Sequence, residues 1–194
     1  MHDFPTLAGQ LLIAMPALDD PNFENTVTLI CEHTEEGAMG LTINRPTELT
    51  HETVLAQVPE RSKDAEHMPD RRLAESPVLL GGPVGTERGF ILHRDRGDWD
   101  ATLSVRDDIH ITMSRDIIDA MLGDDGPKGA VMALGYAGWE AQQLEDEIRA
   151  NAWLTTEAFA EIIFDTPFER RWDRAADALG ISREQLGTGP AGTA

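Results

Sequence analysis

Apolar and polar positions along the chain alternate in short blocks, mostly with the period of strands. QLLIAMP (10–16) is a brief apolar run closed by Pro16 and predicts a first strand. NTVTLICEHTEEGAMGLTIN (25–44) predicts two strands around a Glu35-Glu36-Gly37 turn, a hairpin with a longer loop. Arg45-Pro46 is expected to close it, because proline cannot donate to a ladder and extends the residue before it. Thr50 is placed to cap a short helix with Val54, Leu55 and Val58 on its apolar side. PVLLGGPV, GFILHRD, TLSV and DIHITM predict further strands, and Ser114 is placed to cap a helix with Asp116 in its first turn and Gly123 at its end. AVMALGY reads as a central strand covered on both faces. The next helix carries Ala141, Leu144, Ile148 and Ala152 as its buried stripe, with Glu145 and Arg149 paired on the outside. Thr166, Pro167 and Glu169 predict a capping box, with Phe168, Trp172, Ala175 and Leu179 on one stripe stopped by Gly180.

This irregular alternation, with a hairpin in it, disfavours a purely parallel doubly wound sheet and predicts one α+β domain over residues 1–186. Residues 59–76, PERSKDAEHMPDRRLAES, are charged and lack apolar periodicity, and are expected to form a surface insertion. The end of the chain, 187–194, is expected to be a disordered tail.

Charge alters the picture more than size does. Among 194 residues, 35 are acidic and 16 basic, a formal net charge of −19. Non-specific affinity for nucleic acid comes from Lys and Arg displacing counterions, so direct contact with DNA or RNA is disfavoured. The bland alternative is that the acidity serves solubility alone. Cys31 is the sole cysteine, which fits a reducing, cytoplasmic compartment, and the opening MHDFPTLAGQLLIAMP predicts neither a signal peptide nor a membrane span.

Candidate chemistry is sparse. Cys31 and His33 lie two apart in a strand and would share a face, as a nucleophile and its base do. The same alternation sets Cys31 beyond Val27 and Leu29, where an inert, buried thiol is the ordinary outcome. In DDPNFE, Asp20, Asn22 and Glu24 occupy alternate positions, as at the start of a calcium loop. Asn25 and Cys31 stand where that loop needs its glycine and its bidentate glutamate, so a turn is the better account. The histidines show no metal-ligand spacing. GGPVGTERGF precedes a strand rather than a helix and is read as turn chemistry, and no GxSxG or HExxH motif occurs. The segment LGYAGWEAQQLEDEI (134–148) is read as a strand-to-helix turn at GYAGW, a position where open sheets bind ligands. Glu140 and the LEDE run would repel an anion there. The candidate binding residues are therefore Asn22, His33, Arg45, Tyr136, Gly138, Trp139 and Gln143. No metal, cofactor or catalytic residue is expected.

LLIAMPALDDPNFENTVTLICEHTEEGAMGLTINRP, LLGGPVGTERGFILH, ITMSRDII, LGYAGWEAQQLEDEIRANAWL and FDTPFERRW, in that order from about residue 7 to 181, resemble the AlgH/YqgE family of small bacterial proteins. The resemblance implies a single α+β domain whose mixed, bifurcated sheet folds into a pseudo-barrel with peripheral helices. It implies no established activity, cofactor or catalytic residue, and some members carry a transcriptional-regulator label. Gly135, Tyr136, Gly138, Trp139, Gln143, Leu144 and Glu145 match the family pattern, whereas Glu140 and Gln142 stand where glycines are common. Nothing resembles a helix-turn-helix. The expected function is that of a non-enzymatic cytoplasmic protein acting through an unidentified protein partner, with an indirect regulatory effect. The alternative is a small-molecule binder or enzyme with a pocket near His33, Arg45 or the Gly135–Trp139 turn.

Overall fold

The computed structural model describes residues 5–58, 70–123 and 125–187. The strands among them are β1 (Gln10–Ala14), β2 (Val27–Thr34), β3 (Gly37–Thr42), β4 (Pro46–Thr50), β5 (Pro77–Leu80), β6 (Val84–His93), β7 (Thr102–Arg106), β8 (Ile109–Thr112), β9 (Val131–Glu140) and β10 (Trp153–Glu157). The helices are α1 (His51–Leu55), α2 (Arg71–Ala74), α3 (Arg115–Leu122), α4 (Gln143–Arg149), α5 (Ala160–Phe164), α6 (Phe168–Asp177) and α7 (Arg183–Gly187). None is long and apolar enough to cross a membrane. Contacts gather into two compact units, one of residues up to Asn44 and from Ala137 onward, the other Arg45–Tyr136.

In the first unit the strand order is β10-β1-β2-β3-β9, antiparallel throughout. The expected hairpin forms. Its register shifts between Ile30 and Glu32, so Cys31 is the extra residue of a bulge. Leu12, Ile30, Ala137, Leu144 and Trp153 anchor the buried core. Helix α6 docks through Trp172, whose Nε1 donates to the Ala14 carbonyl at 3.1 Å. Beside it Arg171 is buried, donating from Nε to Thr166 O at 2.9 Å and from Nη1 to Ile43 O. Burial lowers its pKa to about 10, against the opposing pull of Glu169, so it remains a cation at neutral pH.

In the second unit β4 pairs with β5, β5 runs parallel to β9, and β6, β8 and β7 follow antiparallel. Strand β9 pairs with β5 and β6 through its first half and with β3 through its last four residues, so the sheet is mixed and divides at this strand. The α+β class and bifurcated sheet are as the resemblance implies. Thr50 caps α1 in a reciprocal box with Thr53. His51, 1% exposed, accepts from Met132 N–H through Nε2 at 3.2 Å, while Nδ1 has no hydrogen-bond partner among the described residues.

Several expectations need correction. GYAGW is not a turn: β9 continues through it to Glu140, which is a strand residue, and the chain reverses at Gln142 in the left-handed region (φ 66°). The apolar run stops at Tyr136, but pairing of Ala137–Glu140 with β3 carries the strand on. Ala141 is exposed, and Arg149 pairs with Asp146 while Glu145 turns to His33. Pro46 opens a strand instead of ending one. Ser114 makes no cap bond; Asp116 accepts from Ile117 N–H instead. The capping box at Thr166 is not made, because its hydroxyl donates to Glu161 O, and Leu179 at the end of the predicted stripe is exposed. Of the charged segment 59–76, residues 59–69 lie outside the described residues. Its far end forms α2 with Leu73 and Ala74 buried, anchored by Asp70 at the N-cap. Of the tail, residues 188–194 lie outside the described residues.

Candidate functional site

The chemistry of the first unit converges on α4. Leaving β9 through the left-handed Gln142, the chain starts a helix whose residues 143, 145 and 147 each reach a different neighbour. Gln143 accepts from Glu140 N–H at 2.9 Å and donates to Glu147 Oε1 at 2.9 Å. The other oxygen of Glu147 accepts two indole N–H groups, Trp139 at 2.9 Å and Trp153 at 2.8 Å. The two indoles meet edge to face at 6.2 Å, and Phe23 stacks on Trp139 at 6.0 Å and meets Trp153 edge-on at 5.6 Å. One carboxylate therefore satisfies both indole donors of a three-ring cluster, the arrangement buried Trp needs.

Two residues earlier on the helix, Glu145 Oε1 lies 3.1 Å from His33 Nε2. His33 Nδ1 accepts from Leu7 N–H at 3.0 Å, so the ring proton sits on Nε2 and is given to Glu145. Both ring nitrogens are thereby engaged in tying the N-terminal segment and β2 to α4. The thiol of Cys31 points elsewhere, at 3.4 Å from Leu29 O, and burial raises its pKa. The bulge at Cys31 breaks the alternation on which the dyad depended. A nucleophile and base are not assembled here.

Beside this network a hollow of about 230 Å³ opens over the β2–β3 hairpin. Glu32, Thr34 and Glu36 supply polar walls and Met39, which pairs with Glu32 across the hairpin, an apolar floor, with Ala38 and Trp139 also bordering it. Gly37 has no room for a side chain: at φ 143°, an added Cβ would stand 2.2 Å from Trp139 O. Glu32 and Glu36 are exposed. Carboxylates round a small apolar floor suit the end of a lysine or arginine side chain.

The sequence candidates fall in several places. Trp139 and Gln143 are brought together through Glu147, and His33 joins the same helix through Glu145. Gly138 is exposed in β9, opposite Met39. Asn22 sits in a surface turn, its N–H bonded to Asp20 Oδ1 at 2.8 Å, the local role expected of it. Arg45 and Tyr136 belong to the second unit, where the Arg45 carbonyl accepts from Leu80 N–H and Tyr136 meets Phe90 edge-on. Sequence reasoning missed Glu147 and Trp153. Glu147 lies four residues after Gln143, one turn along the same helix face, which is the signal available for it. For Trp153, whose partners are distant in sequence, there was none. Among the described residues no group of three or more His, Cys, Asp or Glu is arranged to hold a metal ion.

A family model described as AlgH-like matches residues 11–184. The UPF0301 protein of Nitrosococcus oceani is 49% identical over 178 residues, 92% of each chain. A UPF0301 protein of Thioalkalivibrio sulfidiphilus is 50% identical over 186 residues, 96% of each. The solution structure of the AlgH protein from Pseudomonas aeruginosa, 41% identical, superposes with a TM-score of 0.77 over 100% of this chain and 99% of that one. A crystal structure of a protein from Corynebacterium diphtheriae, 18% identical, has a TM-score of 0.70 over 97% and 95% of the two chains and shares the fold alone.

Proposed function

The chain belongs to the AlgH-like family, and from that premise we propose that it is a non-enzymatic cytoplasmic protein that acts by holding a basic protein partner, with an indirect regulatory consequence. Residues 1–186 are taken as one functional domain. The observation that carries this reading is the hollow over the β2–β3 hairpin, where Glu32 and Glu36 border Met39. A partner's Lys or Arg would place its stem on the apolar floor and its charge between the carboxylates. The field of a chain with net charge −19 would speed the encounter and discourage nucleic acid from the same surface.

Chemical cross-linking in native cells, followed by capture, tests the reading. The expected product is a protein with a basic surface, its yield reduced at least about tenfold by E32K/E36K, since reversed rim charge meets like charge. Recovery of nothing above a charge-matched control protein counts against it, as does a yield indifferent to both substitutions. The second reading, a small-molecule binder or enzyme using His33, Arg45 or the Gly135–Trp139 segment, is less well supported because His33 spends both ring nitrogens on Leu7 and Glu145. A metabolite that raises the melting temperature of the protein and loses that effect in H33Q would favour it.

A further inference from the structure

The second unit contains a hollow of different character. It lies between the exit of β6 and the β7–β8 hairpin, encloses about 620 Å³, and has Arg94, Arg96, Arg106, Ser104 and His110 among its walls. We propose that it binds the phosphate group of a small, hydroxyl-bearing phosphorylated molecule of the size of a sugar phosphate.

Charge is the first argument. The chain carries 16 basic residues against 35 acidic ones, yet three arginines border this one hollow. Guanidinium groups present paired N–H donors that match the oxygens of a phosphate, and they do so as a fork rather than as a point charge. The second argument is that the wall beneath them is built from buried, hydrogen-bonded polar groups. His110, 4% exposed, bonds Ser104 Oγ through Nδ1 at 3.1 Å, and its ring lies 5.8 Å from that of His93. His93, fully buried, donates from Nδ1 to the Asp95 carbonyl at 2.6 Å and meets Thr112 Oγ1 at 2.8 Å through Nε2. Thr112 in turn meets Thr102 at 2.6 Å, and Trp99 closes on His93 edge-to-face at 4.9 Å. Such a floor holds Ser104 and His110 in place before any ligand arrives, which lowers the ordering cost of binding.

Asp95 and Asp107 share the rim. Toward a bare phosphate they are repulsive. Toward a ligand whose phosphate is followed by hydroxyl groups they are acceptors, so the mixed lining selects a phosphorylated body over the inorganic ion. The volume agrees, since it exceeds what one phosphate fills and falls within the range of roughly 300–1,000 Å³ typical of small-molecule sites. This proposal does not depend on the partner reading above.

Titration calorimetry of the full chain at low salt, with ribose 5-phosphate, inorganic phosphate and ribose as probes, tests it. The expected result is saturable binding of ribose 5-phosphate, at least about tenfold tighter than inorganic phosphate, and none of ribose; R96Q/R106Q should weaken it at least about tenfold, as loss of charge-assisted bonds requires. R96Q alone, at an exposed position, keeps the test decisive should the double variant not fold. D95N/D107N should narrow the gap between ribose 5-phosphate and phosphate. Absence of saturable binding by ribose 5-phosphate overturns the proposal. So does an affinity indifferent to the arginine substitutions, or inorganic phosphate binding as tightly as the sugar phosphate.

Discussion

His51 shows how one residue couples stability to pH. It is buried at the start of α1, and burial lowers its pKa from the ordinary 6.5 to about 4. The folded protein therefore keeps it neutral where the unfolded chain takes up a proton. Its contribution is fully present above pH 6.5 and is lost as pH falls from 6.5 toward 4. Over that window it amounts to about 3 kcal/mol, from the size of the shift. Urea titrations at pH 7 and pH 4.5 should show a fall in stability that is flattened in H51L, even though H51L begins lower for want of the Met132 bond. Glu147 makes the second prediction at this scale. Its replacement by alanine strands the indole N–H groups of Trp139 and Trp153 together and should cost about 2 kcal/mol. Chemical denaturation measures the loss, and a shift in tryptophan emission marks its origin. Glu147→Gln, which retains an acceptor oxygen, should recover part of it.

At the scale of elements, β9 is where sequence and structure part most clearly. Its first half, AVMALGY, was legible as a buried central strand because apolar residues fill successive positions. The rest was not, because the stretch GYAGW, with its two glycines and aromatic pair, carries turn chemistry in isolation. Pairing with β3 decides the matter for residues 137–140, and Gly135 makes room on the side of β6. At φ 72°, its α-carbon faces Gly82 O, which an added Cβ would approach to 2.5 Å, and the partner strand β6 shifts register between Val84 and Gly89 to pass it. Gly135→Ala should cost roughly 2–4 kcal/mol, from left-handed strain plus a clash with backbone that cannot move aside. Thermal unfolding of G135A beside G138A, whose position lies in extended pairing with Met39, checks this: the first should fall far more than the second.

For the whole molecule the governing quantity is charge. A net −19 over 194 residues opposes compaction, and the opposition is screened by salt over a Debye length of about 10 Å at 0.1 M. The melting temperature should therefore rise as sodium chloride is raised from about 10 mM to about 500 mM, with most of the gain below about 150 mM. A melting temperature that stays level or falls across that range would mean that local ion pairs outweigh the collective repulsion. Exposed ion pairs such as Arg71 with Glu75 contribute little against it.

Sequence alone determined the α+β class, the β2–β3 hairpin, the Thr50 cap and the family, because each depends on residues close together in the chain or on motifs in fixed order. Tertiary structure alone decided what the chemical groups do. Cys31 and His33 are two residues apart, yet a bulge separates their roles and Leu7 and Glu145 claim the imidazole. GYAGW reads as a turn until β3 pairs with it. Arg94 and Arg106 are separated by a loop and a strand in sequence, and only the return of β7 and β8 beside β6 puts them round one hollow. Local propensity selects elements, but a hydrogen-bond partner or a shared cavity is a long-range property, set when strands distant in sequence come into register.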